Sequence, residues 1–143
     1  MQRFVVCVAA LVITGFVDTG AQTKIVTAGD YAKVMKATAQ AFGGVTNTTS
    51  AGLFEDAKGN LATTRAGFVA IESFWADRKR DDAVAIVKGV LMQLDELERL
   101  LAAPRRSATL AATKKIQGAC AACHAVYREG DNQSGFRFKP GVL

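Results

Sequence analysis

The sequence predicts an all-α protein, folded as an antiparallel up-down-up-down four-helix bundle over residues 22–143. Apolar side chains recur at alternating spacings of three and four along four segments, which is the period of an amphipathic helix. Strand-like alternation is scarce, and the only prolines are Pro104 and Pro140. Glycine, proline or charged residues separate the segments, so we expect each helix to pack beside the next.

The first 21 residues have the pattern of a signal peptide. Arg3 precedes a fourteen-residue apolar run, and small residues follow before Gln22. We therefore expect cleavage after Ala21 and export to the periplasm. A membrane anchor is the alternative, but this run is shorter than the roughly 20 residues that span a bilayer, and no later stretch qualifies. Cleavage would leave the net charge at +5, because one Arg and one Asp are lost together.

The first helix is predicted over residues 30–42. Asp30 suits its N-terminal cap, and Gly43 with Gly44 is expected to end it before a polar loop. The face that points to the core carries Tyr31, Val34, Met35, Thr38 and Phe42.

The second and third helices follow the same spacing. The second is predicted over residues 54–79, with Gly59 and Gly67 as weak points. Its apolar stripe consists of Ala57, Leu61, Thr64, Phe68, Ile71 and Trp75. After a charged turn, Asp81 or Asp82 is expected to cap the third helix. The stripe of the third helix consists of Val87, Val90, Leu94, Leu97 and Leu101.

The fourth helix is predicted to start near Ser107 and to end around Glu129 and Gly130. Residues 130–143 are predicted to form an irregular C-terminal tail. The core-facing residues of the fourth helix are Thr113, Ile116, Cys120, Cys123 and Tyr127.

The fourth helix carries the sequence CAACH at residues 120–124. Cys7 leaves with the predicted signal peptide, so Cys120 and Cys123 are the only cysteines of the mature chain, and His124 is its only histidine. Three interpretations fit poorly. A buried or disulfide-bonded pair is disfavoured, because two cysteines at this spacing on a helix suit a disulfide badly and export exposes free thiols to oxidation. A structural zinc site needs about four protein ligands, and the mature chain has no other Cys or His to complete one. A thioredoxin-like redox pair belongs to a βαβ unit, which the sequence does not predict.

The remaining interpretation is a covalently attached haem. Cys-x-x-Cys-His is the attachment sequence of haem c, in which two thiols add to the vinyl groups and the adjacent imidazole binds the iron. We therefore predict one haem c, bound covalently by Cys120 and Cys123, with His124 as the proximal iron ligand.

With this motif the chain resembles the class II c-type cytochromes, four-helix bundles with the haem motif near the C-terminus. The family includes the cytochrome c prime proteins and their low-spin, methionine-ligated relatives. The resemblance covers nearly all of residues 29–129 and rests on YAKVMKATAQ, FWADRKRDDAV and CAACHAVYR. Tyr127 and Arg128 match the aromatic residue and arginine that follow the family's motif, which implies haem contacts for both. The tail after Arg128 is longer than in the shorter members.

Bundle geometry suggests a second iron ligand. The first and fourth helices are expected to be antiparallel neighbours, so Met35 lies level with His124. Core packing alone would also explain Met35. The resemblance favours ligation, because VMK is similar to the Met-Lys of methionine-ligated members, and Met92 is the weaker candidate. Trp75 and Val87 fall in the same layer and are predicted to contact the haem, although Trp75 also suits a plain core position.

Six basic residues are predicted to lie at the end of the bundle that carries the haem motif. We expect this basic rim to steer a redox partner protein with an acidic docking surface, whereas no motif for nucleic acid is present. The sequence leaves open whether the chain forms a homodimer. The basic residues are Lys33, Lys36, Arg78, Lys79, Arg80 and Arg128.

These observations predict an exported one-electron carrier and no enzymatic activity. The motif is accompanied by no second acid, base or metal cluster, and two permanent axial ligands would leave no position for a substrate. If Met35 only packs, the expected function is that of a five-coordinate, cytochrome c prime-like protein that binds nitric oxide or carbon monoxide. A haem peroxidase is disfavoured because no second histidine can serve as its acid and base.

Overall fold

The structure is a computed structural model that describes residues 24–131 and 133–143. The predicted signal peptide, residues 1–21 with Cys7, lies outside the described residues. The secondary structure comprises α1 (Ala28–Ala51), α2 (Phe54–Asp77), α3 (Asp81–Ala102), α4 (Arg106–Tyr127), β1 (Arg128–Asp131) and β2 (Gly135–Phe138).

The four helices pack against one another around a shared core. Each contacts the next along the chain, and α1 also packs against α4. Connections of two or three residues join consecutive helices, so neighbours run in opposite directions. This arrangement agrees with the predicted four-helix bundle. The start of α1, the end of α2, the start of α3 and the end of α4 share one end of the bundle, here called the motif end because residues 120–124 lie there.

The core consists largely of the side chains that the three-four spacing identified. Every residue of the predicted stripes on α2 and α3 is buried. Burying a large apolar side chain contributes roughly 1.5–3 kcal/mol, so these stripes are the main reason why the helices associate. The large side chains with no exposed surface include Trp75, Leu94, Leu97, Leu101 and Ile116.

The buried polar residues of the described chain are threonines. Thr38, Thr64, Thr109 and Thr113 each donate a hydrogen bond to a carbonyl three or four residues earlier in the chain. These bonds satisfy four of the buried hydroxyls locally, whereas the Thr49 hydroxyl has no partner in the described chain. The fit of one helix against another therefore depends on shape and not on hydrogen bonds between these side chains.

Helix α1 does not end at Gly43 and Gly44, so that prediction is wrong. The helix continues for two more turns because Val45 and Thr49 are buried there, both 0% exposed. Gly44 serves close packing: a Cβ at this position would lie 2.8 Å from the side chain of Asn60 on α2. The glycine that a sequence suggests as a stop is thus a contact point between two helices.

The ends of α1 are fixed by different residues from those predicted. Thr27, and not Asp30, is the N-terminal cap: its hydroxyl accepts a hydrogen bond from the backbone N–H of Asp30, whose carboxylate accepts one from the Thr27 N–H. At the other end Gly52 adopts a φ of 80°, the left-handed conformation that glycine tolerates. Asp30 therefore stabilises the cap without being the cap residue.

The C-terminal tail forms a hairpin, whereas the sequence predicted an irregular segment. Gly130 has a φ of 87°, and a Cβ there would clash with the carbonyl oxygen of Gly135, so the antiparallel pairing of β1 and β2 requires glycine. The Asp131 carboxylate accepts hydrogen bonds from the backbone N–H groups of Gln133 and Ser134 in the turn. Strands of four residues are too short to give a clear alternation in the sequence.

Charged groups cover the outer faces of the helices. Arg65 of α2 pairs with Asp95 and Glu98 of α3 across the surface of the bundle. None of the helices in residues 24–131 is long and apolar enough to cross a membrane.

Replacing Gly67 tests the close packing of α1 on α2. A Cβ at this position would overlap the Thr38 side chain, so Gly67→Ala should lower the free energy of unfolding by about 1–3 kcal/mol, the usual cost of overpacking. Gly59→Ala on the same helix is the matched control, because nothing lies within 4 Å of its Cβ position, and it should stabilise by about 1 kcal/mol. Urea unfolding measures both. Equal stabilisation by the two alanines would contradict the close packing.

Candidate functional site

A groove lies between α1 and α4 at the motif end. Its volume is about 520 Å³, within the range of roughly 300–1,000 Å³ that is typical of small-molecule sites. Phe68 contributes from α2, and Arg128 and Gly130 contribute from β1. The other lining residues are Met35, Thr38, Ala39 and Phe42 on α1, and Gln117, Cys120, Ala121, His124 and Ala125 on α4.

The CAACH sequence forms part of the α4 wall. Cys120 and His124 are about one helical turn apart, so both side chains line the groove. Cys123 is not among the lining residues: it is half-buried and packs against the core. The two cysteines are not joined by a disulfide. The motif thus presents the Cys120 thiol and the His124 imidazole to the groove, and both cysteines also contact the core.

Burial keeps the motif electrically neutral. It raises the pKa of the Cys120 thiol, and burial followed by the charge of Cys120 raises the pKa of Cys123 to about 11. Burial, and then the Arg128 guanidinium, lowers the pKa of the His124 imidazole. Redox-active thiols have lowered pKa values, so these surroundings disfavour a thioredoxin-like pair. A neutral imidazole is the form that binds a metal.

The motif has too few neighbouring ligands for a structural zinc site. In the part of the chain that the structure describes, no group of three or more His, Cys, Asp or Glu side chains is placed to hold a metal ion. A structural zinc ion takes about four such ligands. A haem iron needs only axial ligands from the protein, because the porphyrin nitrogens occupy its other positions.

Met35 and His124 line the same groove, Met35 from α1 and His124 from α4. Met35 is half-buried on α1 and also packs against the core. Met92, the other methionine in the described residues, is 67% exposed on α3, and α3 contributes nothing to the lining. The structure therefore brings Met35, and not Met92, together with His124.

Three predicted haem contacts are not part of the groove lining. Trp75 is 0% exposed and packs edge-on against the ring of Tyr31. Val87 is buried in the core, and the buried Tyr127 donates a hydrogen bond of 2.7 Å to Asp82. Arg128 does line the groove. Contacts of Trp75, Val87 and Tyr127 with a haem stay predictions.

An aromatic cluster fills the motif end next to the groove. The ring of Trp75 lies 5.6 Å from that of Tyr31, 5.2 Å from that of Tyr127 and 5.5 Å from that of Phe138, measured between centroids. Phe74 is the fifth ring of the cluster. The cluster as a whole joins α1, α2, α4 and β2. Phe138 was not predicted to belong to this cluster, because its only signal in the sequence is the short alternation Gly-Phe-Arg-Phe in β2.

Small lining residues were also missed. Ala39, Ala121 and Ala125 lie off the predicted apolar stripes, where their short side chains leave space between α1 and α4. Alanine is common throughout helices because of its high propensity, so its presence at these positions gave no distinct signal.

Asp82 connects the start of α3 to the end of α4. The Arg80 guanidinium, followed by the Tyr127 hydroxyl, holds the pKa of the Asp82 carboxyl well below its usual range through hydrogen bonds. The ionised carboxylate accepts the Tyr127 hydrogen bond and so links the two helix ends.

The predicted basic rim divides into two groups. Arg78 donates a hydrogen bond to the carbonyl of Val26, and Arg80 donates one to the carbonyl of Val142. Both arginines therefore contact segments outside the bundle helices, and Arg128 lies over the ring of Phe136. The remaining cations of the rim are lysines, of which Lys33 pairs with Asp30. The exposed lysines are Lys33, Lys36 and Lys79.

Comparisons with protein-family models, curated proteins and solved structures found no match for this chain. A functional proposal therefore rests on the groove and its motif.

Proposed function

We propose that the chain is an exported monohaem c-type cytochrome that carries one electron between partner proteins. The observation behind this proposal is the CAACH sequence on one wall of a ligand-sized groove that Met35 also lines. Cys120 and Cys123 would attach the haem, with His124 and Met35 as the axial iron ligands. The sequence resemblance to class II c-type cytochromes supports the same roles.

The residues around the groove fit a haem. Phe42, Phe68 and Ala39 provide the apolar lining that a porphyrin requires. Arg128 also lines the groove and would offset the charge of a haem propionate.

The protein's contribution to electron transfer is to keep the iron's surroundings unchanged in both oxidation states. When bound, the haem would supply one-electron iron chemistry. The neutral His124 imidazole and the Met35 thioether need no change of protonation to act as ligands. The thioether would raise the reduction potential of the bound haem, and the apolar walls would limit the approach of water.

A second function would follow if Met35 serves only in packing. Met35 contacts the hydrophobic core, and that role alone would explain its position. His124 would then be the single axial ligand, and nitric oxide or carbon monoxide would bind at the free position. Among the described residues, the lining offers no carboxylate or second imidazole for acid–base catalysis, and we propose no enzymatic activity.

The partner that fits the motif end is a redox protein with an acidic surface. Lys33, Lys36 and Lys79 are exposed there. Attraction between these cations and carboxylates would raise the rate of association more than the affinity.

The first test of the proposed function is the covalent bond to haem. Intact mass spectrometry of the exported protein should show a chain that begins near Gln22 and carries one haem, which acid–acetone extraction should not remove because thioether bonds survive acid. Cys120→Ala and Cys123→Ala should each reduce the haem content. Cys7→Ala is the control and should have no effect, since Cys7 belongs to the predicted signal peptide. Haem that extracts completely from the wild type would refute covalent attachment.

Replacing Met35 distinguishes the electron carrier from the gas-binding protein. Met35→Ala should convert the ferric spectrum from low to high spin, lower the reduction potential and admit nitric oxide, because it removes an axial ligand. The bundle should remain folded at a cost of about 2 kcal/mol, the low end for a truncated core methionine, because Met35 is only half-buried. Met92→Ala, at a position 67% exposed, should change none of these properties. A wild type that is already high-spin and binds nitric oxide readily would favour the gas-binding function.

Charge reversal tests the docking end. Lys36→Glu with Lys79→Glu should slow electron exchange with the anion hexacyanoferrate and accelerate exchange with the cation hexaammineruthenium. Both effects should vanish at high salt, where the screening length falls to about 3 Å at 1 M. Arg105→Glu with Arg106→Glu makes the same change of charge at the opposite end of the bundle and should have little effect. Equal effects from the two pairs would argue against docking at the motif end.

A further inference from the structure

The end of the C-terminal tail lies across the motif end of the bundle. We call β2 together with residues 139–142 the strap. The ring of Phe138 enters the aromatic cluster, with its centroid 4.8 Å from that of Tyr31 on α1 and 5.5 Å from that of Trp75 on α2. The strap is therefore packed against the first turn of α1 and the last turn of α2.

The same strap is hydrogen-bonded to the end of α4. The backbone N–H of Lys139 donates to the carbonyl of Tyr127 at 3.0 Å, and its ammonium group donates to the carbonyl of Ala125 at 2.6 Å. Carbonyls in the last turn of a helix lack partners within the helix, and a cation is favoured beside them. Arg80 fixes the far end of the strap through the Val142 carbonyl.

These attachments flank the two groups that would bind iron. Tyr31 lies one helical turn before Met35 on α1, and Tyr127 lies about one turn after His124 on α4. Between these turns the groove opens along the seam where α1 packs against α4, and no side-chain hydrogen bond joins the two helices in residues 24–131. Their relative position at this end therefore depends on apolar contacts, including those of Trp75 with Tyr31 and Tyr127, and on the strap.

We propose that the strap is a positioning element, with Phe138 as its central positioning residue. By holding the first turn of α1 against the last turn of α4, it sets the separation of Met35 and His124 across the groove. The ligand roles rest on the proposed function, whereas the mechanical link does not. Without the Phe138 ring, His124 would stay fixed on α4, but Met35 would move with α1 and leave the iron more often.

Hydrogen exchange of the full purified protein tests the mechanical link. In Phe138→Ala, backbone amides of residues 28–36 and 122–128 should exchange at least about tenfold faster, because the ring contacts that restrain these turns are lost. Phe138→Tyr keeps the ring and should restore wild-type exchange. Phe136→Ala is the matched control on the same strand, because Phe136 is 45% exposed and lies outside the cluster. Unchanged exchange in Phe138→Ala, or faster exchange throughout all four helices, would overturn the proposal.

Carbon monoxide binding to the reduced protein tests the effect on Met35. Phe138→Ala should bind about tenfold faster than the wild type, in proportion to the increased release of Met35, while Phe136→Ala and Phe138→Tyr should not. Local exchange that increases without faster binding would show that the strap is only structural and would overturn its positioning role. If the wild type carries no covalent haem, the proposed function fails, and the exchange experiment still decides whether the strap links α1 to α4.

Discussion

The packing of Trp75 at the motif end is the interaction on which the rest of the structure depends. Its ring has no exposed surface and meets Tyr31, Tyr127 and Phe138, each from a different element. Aromatic pairs of this kind contribute about 0.5–1.5 kcal/mol each beyond the area they bury. One side chain of α2 therefore packs against α1, α4 and β2 at once and fixes their relative positions. Trp75 itself is not part of the groove lining.

The groove follows from unequal packing on the two sides of α1. Gly44 and Gly67 remove side chains from the contact between α1 and α2, so these helices approach closely. The packing of α1 against α4 is less extensive, and alanines line much of their seam. Space is thus left on the side where His124 and Met35 lie, and this unequal packing gives the proposed haem site its room.

The sequence predicted those features that depend on neighbours along the chain. Helices α2, α3 and α4 were located because apolar residues three and four positions apart mark the buried face of a helix. The CAACH motif was identified because its residues are adjacent in the sequence. Gly43 and Gly44 misled the prediction of α1, since the burial of Val45 and Thr49 outweighs their low helix propensity.

Features that depend on contacts between distant segments could not be predicted in this way. The hairpin depends on the close approach of Gly130 and Gly135, and Phe138 acquires its role only by meeting Trp75 from more than sixty residues away. Likewise, the contribution of Phe68 to the groove depends on how α2 sits behind α1 and α4. The sequence thus predicted that Met35 lies level with His124, but it did not predict the shape of the groove that both residues line.

The buried threonines have a mechanical consequence for the bundle. Because Thr38 and Thr113 are satisfied within their own helices, and no side-chain hydrogen bond joins α1 to α4 in residues 24–131, widening this seam breaks only apolar contacts. Such contacts are non-directional and can form again after a small shift. The α2–α3 and α3–α4 interfaces, by contrast, carry ion pairs or hydrogen bonds. The α1–α2 interface is also apolar, but its helices pack closely at Gly44 and Gly67. The α1–α4 interface, which contains the motif, combines apolar contacts with less extensive packing and is therefore the more easily widened of the two.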